Sequence, residues 1–370
     1  MTTAWNDKKL GFGLMRLPKK DGQIDIPAVC GLVDTFLAAG FTYFDTAYAY
    51  DGAEIAFREA VAKRYPRESF TVASKMFGKA LNAEMTPEHM FAVSLERCGV
   101  EYFDFYLLHT VKEANLAFYD DNGCWDFCLQ KKREGKIRSF GFSFHGTPAL
   151  LERLLTLHPE VDFVQLQINY TDMDDSVIAA GENYEICRRH GKDIVVMEPV
   201  KGGILASVPP KAEEIFRTLN PNASPASYAL RFAASLPGVK TVLSGMNTSE
   251  QMQDNTAVFG NFVPLSESEL AAIAKVKDIL LSVPTVACTD CRYCTKGCPM
   301  SIRIPDIIRA YNLILTFGDH SRPHLYYGDL LTFGSGKASD CVGCGQCESV
   351  CPQHLPITRI LKDAAGYLDR

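Results

Sequence analysis

The chain has 370 residues, 47% hydrophobic and 22% charged, with a formal net charge of -6. That size suits two domains, or one large barrel with a small addition. The acidic balance argues against nucleic acid as a main partner, because phosphate binding needs a basic surface. No apolar run reaches the roughly 18 residues of a membrane span. The polar, mixed-charge stretch from Met1 to Leu10 does not read as a signal peptide, so a cytoplasmic location is expected.

Taken in chain order, short apolar runs at 10–14, 43–47, 70–76, 105–109, 139–143, 163–168, 194–197 and 241–245 read as strands. Between them lie amphipathic stretches at 28–39, 54–64, 87–98, 148–157, 177–190 and 225–236. The runs look apolar on both faces, as parallel strands do. Eight βα units in about 250 residues predict a (β/α)8 TIM barrel. A doubly wound sheet would usually carry a glycine-rich first turn. Here Gly11 and Gly13 give only G-x-G, with Arg16 where a third glycine would stand. Residues 266–282 read as one more amphipathic helix, ended by Pro284. The expected division is therefore a barrel with a closing helix at 1–283 and a second domain at 284–370.

Cysteine is unevenly placed. Of 13 cysteines, Cys30, Cys98, Cys124, Cys128 and Cys187 are scattered, and the other eight form two tight groups near the end. Disulfide frameworks belong mostly to small secreted domains, so grouped cysteines in a long chain without an export signal point to metal. The first group is Cys288-x2-Cys291-x2-Cys294-x3-Cys298-Pro299 and the second is Cys341-x2-Cys344-x2-Cys347-x3-Cys351-Pro352. Two-residue spacers let a looping backbone wrap three thiolates round one [4Fe–4S] cube. The fourth cysteine, before proline, ligates the other cube in two-cluster ferredoxins. The pattern thus pairs Cys288, Cys291, Cys294 and Cys351 on one cluster, and Cys341, Cys344, Cys347 and Cys298 on the other. Zinc is the alternative, since C-x2-C pairs also make zinc sites, but it explains poorly why the full run occurs twice. Residues 304–315 between the groups read as helical, so the domain resembles α-helical two-cluster ferredoxin modules of larger redox enzymes.

Chemistry in a barrel sits at the C-terminal strand ends. Asp45, Lys75 and His109 fall at predicted strand ends, and Tyr50 follows Asp45 five residues on. Singly, each has a dull reading: a helix cap, a surface charge, a satisfied core histidine. Together, at the same end of successive strands, they suggest a site.

At these residues the chain resembles the aldo-keto reductase family, in its bacterial branch with a ferredoxin-like tail. The resemblance covers roughly residues 9–260. It rests on Phe44-Asp45-Thr46-Ala47 with Tyr50, Gly52 and Glu54; on Ser94-Leu95 with Tyr102, Asp104 and Leu107-Leu108-His109; on Gly135-Lys136-Ile137-Arg138 with Gly141 and Ser143; and on Gln165 with Asn169. It implies a catalytic tetrad of Asp45, Tyr50, Lys75 and His109. Tyr50 would give a proton to a carbonyl oxygen, with Lys75 lowering its pKa, Asp45 aiming Lys75, and His109 polarising the substrate. It also implies an NAD or NADP cofactor. Ser143 and Gln165 would hold the nicotinamide carboxamide, and Met197 would stand where the family stacks an aromatic ring. Met15 and Arg16 would lie beside the cofactor's middle, and Gly245, Gln251 and Asn255 at its adenine end. Gly245 and Gln251 are uncharged where NADP-using members carry basic residues, which disfavours a phosphate dianion.

A nicotinamide delivers two electrons as hydride, whereas a [4Fe–4S] cluster takes one at a time. Three readings of the whole chain stay open. One is a nicotinamide enzyme that reduces a carbonyl, or oxidises an alcohol, and whose two clusters transfer electrons. Another is an electron-transfer protein with a flavin or a ferredoxin-type redox partner at the barrel mouth. The third is a reductase whose clusters are structural. The substrate is a small carbonyl or alcohol. Phe118, Tyr119 and Trp125, in the loop 111–125, offer an apolar wall and no more. Nothing in the sequence fixes the oligomeric state.

Overall fold

A strand in a parallel sheet needs a partner on each side, and a ring of strands supplies both without leaving an edge. A computed structural model, which describes Trp5, residues 7–318 and residues 321–370, has this ring. The strands are β1 (Leu10–Gly13), β2 (Tyr43–Asp45), β3 (Thr71–Met76), β4 (Phe103–Val111), β5 (Ile137–Phe144), β6 (Phe163–Gln167), β7 (Asp193–Met197) and β8 (Val239–Ser244). They pair in sequence order and close through β1 with β8, every pair parallel. All eight expected strands are present, and the fold is the expected (β/α)8 barrel.

The register decides what the barrel can hold. Side chains alternate along a strand, so every second residue points inward. Tyr43, Ala73, Phe105, Leu107, Phe163, Val195 and Leu243 form one buried apolar cluster, with Trp5 and Met197 packed against it. Trp5 closes its N-terminal end, packing at a tilt on Phe105 with ring centroids 4.4 Å apart and donating its indole N–H to Asp193 at 2.8 Å. Two residues on from Tyr43, Ala73, Leu107 and Phe163 stand Asp45, Lys75, His109 and Gln165. The interior is thus apolar below and polar at the C-terminal mouth. Gly141 keeps this layer narrow: a Cβ there would lie 2.5 Å from the Phe163 carbonyl oxygen.

Outside the ring, the helices Ile26–Ala38, Pro87–Cys98, Pro148–Leu157 and Pro225–Ser235 each carry proline in the first turn. Asp25, Thr86, Thr147 and Ser224 cap them by accepting a backbone N–H, the residue types that end-capping favours. The expected helix at 54–64 is instead a turn of α-helix, Ala53–Phe57, continued as π-helix, Arg58–Ala62. The helix expected from 177 starts at Ala180, because Ala179 is left-handed with φ 48°. Five longer helices lie outside the stretches picked out of the sequence: Cys124–Arg133, Pro210–Leu219, Ser249–Gly260, Ser321–Thr332 and Ile357–Leu368. In Ser249–Gly260 the buried residues are Met252, Asn255, Thr256 and Phe259, so half of the buried face is polar and the apolar period is broken.

The chain divides into two compact units: residues up to 200 with 222–270, and residues 201–221 with 271–370. The expected break between 283 and 284 falls inside the second unit. Lys201–Ala206 belongs there because Lys201 lies 5.7 Å from the Phe317 ring centroid, and a Cβ on Gly202 would meet Arg322 at 3.1 Å. The second unit has its own core, in which Ile304, Ile307, Ile308, Tyr327, Leu361 and Ala364 pack with Cys294 and Cys347. Among the described residues, no helix is long and apolar enough to cross a membrane.

Candidate active site

Lys75 is fully buried, and an ammonium group there needs partners. Its Nζ donates to Asp45 Oδ1 at 2.5 Å and to the Thr46 carbonyl at 2.7 Å. Both partners come from the neighbouring strand end, because β2 and β3 pair with Asp45 opposite Ala73. Burial alone would pull the Lys75 pKa down, but Asp45 and Tyr50 carry it above the ordinary lysine value. The site therefore holds a permanent cation.

Tyr50 lies on the loop after β2, half-buried, with the Lys75 Nζ 4.9 Å from its ring centroid. Burial pushes its phenol above the ordinary tyrosine value. Lys75 and Arg16 pull the other way and Asp45 adds to burial, and the balance stays upward. Lys75 lowers the phenol pKa as expected, but it opposes the desolvation without overcoming it, so the net direction is upward. His109 packs edge-on against Tyr50, ring centroids 5.4 Å apart, and against Phe77 at 6.0 Å. Burial, then Lys75 and His145, hold His109 well below the ordinary imidazole value, so it is neutral at pH 7. Its Nδ1 is buried without a partner. The four tetrad residues are thus brought together at one mouth.

The residues expected at the nicotinamide lie on the next strands. Ser143 Oγ accepts the Thr110 N–H at 2.6 Å, which leaves the hydroxyl proton free to donate. Gln165 is buried. Its Nε2 contacts Met197 Sδ at 3.5 Å, and its Oε1 has no partner. Asn169 fixes the loop after β7: its Nδ2 donates to the Glu198 carbonyl at 3.2 Å, where Glu198 is left-handed at φ 58°. Arg16, after β1, reaches Glu198 at 3.6 Å, and Met15 beside it is half exposed. Gln251 and Asn255 lie on Ser249–Gly260. Gln251 Oε1 accepts the Asn247 N–H, and Asn255 turns inward to donate to Ser244 Oγ at 2.8 Å. Gly245 follows β8 directly.

In the second unit the cysteines line two cavities. One of about 330 Å³ is bordered by Cys288, Cys291, Cys294 and Cys351. The other, about 320 Å³, is bordered by Cys298, Cys341, Cys344 and Cys347. The sets are crossed as the spacing implies, each cavity taking three thiols from one run and the last thiol of the other. Among the described residues no three His, Cys, Asp or Glu side chains converge as they would on a single ion. Four thiols round a space suit a cube with iron at separate corners. The two loops have the same backbone: Asp290 and Arg292 are left-handed at the positions taken by Gly343 and Gly345, and Ser301 at that of His354. By contrast, Cys98, Cys124, Cys128 and Cys187 are buried in the first unit and line neither cavity. These scattered cysteines are core residues.

Such a barrel mouth, with a buried cation beneath a tyrosine and a thiol-lined module on the same chain, defines a redox enzyme of the barrel class. Residues 9–278 match the model of the aldo/keto reductase family, and residues 287–355 match that of the 4Fe-4S dicluster domain. The chain belongs to the aldo/keto reductase family and is an NAD(P)-dependent oxidoreductase with an iron–sulfur module. It is similar to an aldo-keto reductase of Mycolicibacterium vanbaalenii, 28% identical over 269 residues, which are 71% of this chain and 86% of that one. It is also similar to the NADH-specific methylglyoxal reductase of Escherichia coli K12, 24% identical over 331 residues, 75% of this chain and 97% of the other. Among solved structures, an aldo-keto reductase from Klebsiella pneumoniae in complex with NADPH shares the fold. Its TM-score is 0.59 at 18% identity, over 75% of this chain and 96% of that one.

Sequence reasoning reads Glu198 as part of a pocket-shaping loop and misses two contacts at this site. Glu198, left-handed at φ 58°, meets Arg16. Tyr119 reads as an apolar wall, whereas its hydroxyl binds the His109 carbonyl. No local motif marks either.

The buried pair generates a stability test. Asp45→Asn leaves the Lys75 ammonium without its counter-charge. Breaking a buried pair from one side costs about 3–5 kcal/mol, while replacing both partners is far milder. Urea unfolding of the barrel is expected to show that loss in Asp45→Asn and most of it recovered in Asp45→Asn with Lys75→Met. Equal loss in both variants would show that the uncompensated charge is not the cause.

Proposed function

We propose that this enzyme reduces a small carbonyl compound, or oxidises the matching alcohol, with Tyr50 as the group that moves the proton. The observation that carries the reading is the buried Lys75–Asp45 pair directly beside Tyr50. Reduction puts hydride on the carbonyl carbon and a proton on its oxygen. When bound, the nicotinamide supplies the hydride. Tyr50 gives its phenolic proton to the oxygen, and the fixed Lys75 charge stabilises the phenolate left behind. Neutral His109 donates a hydrogen bond from one ring nitrogen to the same oxygen. Asp45 holds Lys75 in place.

Two features support a nicotinamide at this mouth. The orphan Gln165 Oε1 wants a donor such as a carboxamide N–H, and the free Ser143 hydroxyl proton wants an acceptor such as its carbonyl. Gly245 and Gln251 support NADH over NADPH, since neither brings a positive charge to a phosphate dianion, and a relative that resembles this chain is named NADH-specific. Met15, Arg16 and Asn255 would border the rest of the dinucleotide.

For the second unit we propose two [4Fe–4S] clusters, each on one of the crossed cysteine sets, with the barrel and this unit as separate folding domains. When bound, the clusters carry single electrons, which suits exchange with a ferredoxin-type partner. A flavin at the barrel mouth is the competing way to split an electron pair. Two complete cysteine sets favour transfer over a purely structural role, for which one cluster would suffice.

Four measurements check this reading. Tyr50→Phe is expected to lower carbonyl turnover by about 10²-fold or more with NADH binding retained; unchanged turnover removes Tyr50 from the chemistry. Because its pKa is raised, reduction, which needs the protonated phenol, should stay flat from pH 6 to about 9, while alcohol oxidation should rise with pH. The kcat/KM for NADH should equal or exceed that for NADPH, and strong NADPH selectivity would overturn the cofactor reading. Anaerobic analysis should find about eight irons and eight sulfides per chain, with a spectrum bleached by dithionite and no flavin released on denaturation. Stoichiometric zinc without labile sulfide would sink the cluster assignment.

A further inference from the structure

We propose that Tyr119 and Asn115, on the segment after β4, are positioning residues for the reaction, holding the backbone from which His109 faces Tyr50. The inference rests on the carbonyl-reductase reading for its catalytic meaning, but the contacts stand alone. The β4–β5 ladder runs regularly to Leu108 opposite Phe142 and resumes at Val111 opposite Phe144. Two residues, His109 and Thr110, therefore face one, Ser143. This is a bulge, and bulges re-aim side chains at functional sites. Thr110 is left-handed at φ 60°, a conformation an L-residue with a branched Cβ rarely adopts.

A bulge strips its residues of ladder partners, and buried backbone groups need replacements. Three side chains supply them. The Tyr119 hydroxyl donates to the His109 carbonyl. The Thr110 N–H donates to Ser143 Oγ at 2.6 Å, and the Thr110 carbonyl accepts from Asn115 Nδ2 at 2.8 Å. Asn115 is held in turn by the Lys112 N–H, which donates to its Oδ1 at 3.0 Å. Tyr119 is fully buried and Asn115 is 4% exposed.

The Tyr119 hydroxyl has a second duty. It accepts the Gly78 N–H at 3.1 Å, just beyond the end of β3. Gly78 admits this approach, since a Cβ there would lie 2.7 Å from Tyr119 Cζ. One hydroxyl thus clamps the ends of the two strands that carry Lys75 and His109. Losing it frees the His109 main chain while leaving the aromatic packing in place. Misplacement by about 1 Å in an active site can cost up to about 10²-fold in rate.

The test uses the holoenzyme, NADH and a small aromatic aldehyde as probe. Tyr119→Phe is expected to lower kcat about tenfold or more, with the NADH dissociation constant within about threefold of the parent. Combined with His109→Gln, Tyr119→Phe should add almost nothing, because it acts through His109. An equal fold-loss in both backgrounds overturns the proposal. A second readout needs no turnover. Diethyl pyrocarbonate acylates neutral imidazole, and mass spectrometry follows His109 against exposed His89. In Tyr119→Phe the His109 rate should rise several-fold relative to His89, and an unchanged ratio overturns the proposal. Asn115→Ser, which loses the amide bond to the Thr110 carbonyl and leaves Tyr119 in place, should repeat the rise if Tyr119→Phe fails to fold. A parent that reduces no carbonyl refutes the functional reading, while the labelling ratio still decides whether Tyr119 holds His109.

Discussion

A charged lysine inside a closed barrel is the constraint to which the rest of the first unit answers. Taking an ammonium ion out of water costs several kcal/mol even after relaxation. The charge is tolerable because Asp45 and the Thr46 carbonyl meet it on one side and Tyr50 borders it on another. Those partners are available only because β2 and β3 are adjacent and parallel, so their C-terminal ends lie at the same height. The apolar layer beneath them, from Tyr43 to Leu243, keeps water from reaching the cation from below. A cation so enclosed has fixed geometry and weak screening, and such a charge acts strongly on a neighbouring proton.

The same enclosure explains the neutrality of His109. Close to Lys75, a protonated imidazole would place two buried cations side by side. The ring therefore stays neutral and acts through a single N–H. A neutral donor is weaker than an imidazolium, so its placement matters more. Correspondingly, the protein spends three side chains, Tyr119, Asn115 and Ser143, on the main chain at that point.

Strand ends and cysteine spacing made most of this legible in the sequence. Place at the ends of successive strands singled out Asp45, Lys75 and His109, and the resemblance to the aldo-keto reductases added the roles of Tyr50, Ser143 and Gln165. The C-x2-C-x2-C-x3-C-P runs implied the crossed thiol sets because they match the ligand pattern of two-cluster ferredoxins, in which the fourth cysteine serves the other cube. What escaped has physical causes. Ser249–Gly260 buries polar residues and Cys124–Arg133 starts at left-handed Gly123 without a side-chain cap, so neither shows the usual helix signals. Tyr119 escaped because a tyrosine in an apolar loop looks the same whether its hydroxyl is idle or clamps two strands. The sign of the Tyr50 shift escaped because charge neighbours can be read from motifs, whereas burial cannot.

The two cysteine loops show how one backbone can be met by different side chains. Both need left-handed residues at the second and fourth positions after the first cysteine. The second loop uses Gly343 and Gly345, which adopt that conformation without steric cost. The first uses Asp290 and Arg292, for which it costs of order 1 kcal/mol or more each. Something must hold them there, and the ion pairs do. Arg292 bonds both oxygens of Asp306 at 3.1 Å and Asp290 at 3.1 Å, and Tyr326 completes the group on Asp306. Asp306 lies on the helix Ile304–Phe317, whose Ile304 borders both cavities. The strain in the first loop is thereby offset by anchoring it to the helix between the two thiol sets. The consequence is chemical as well as mechanical: Arg292, paired with two carboxylates, lines the first cavity, while no Arg, Lys, Asp or Glu lines the second. Identical ligand spacing thus has different charged surroundings at its two sites.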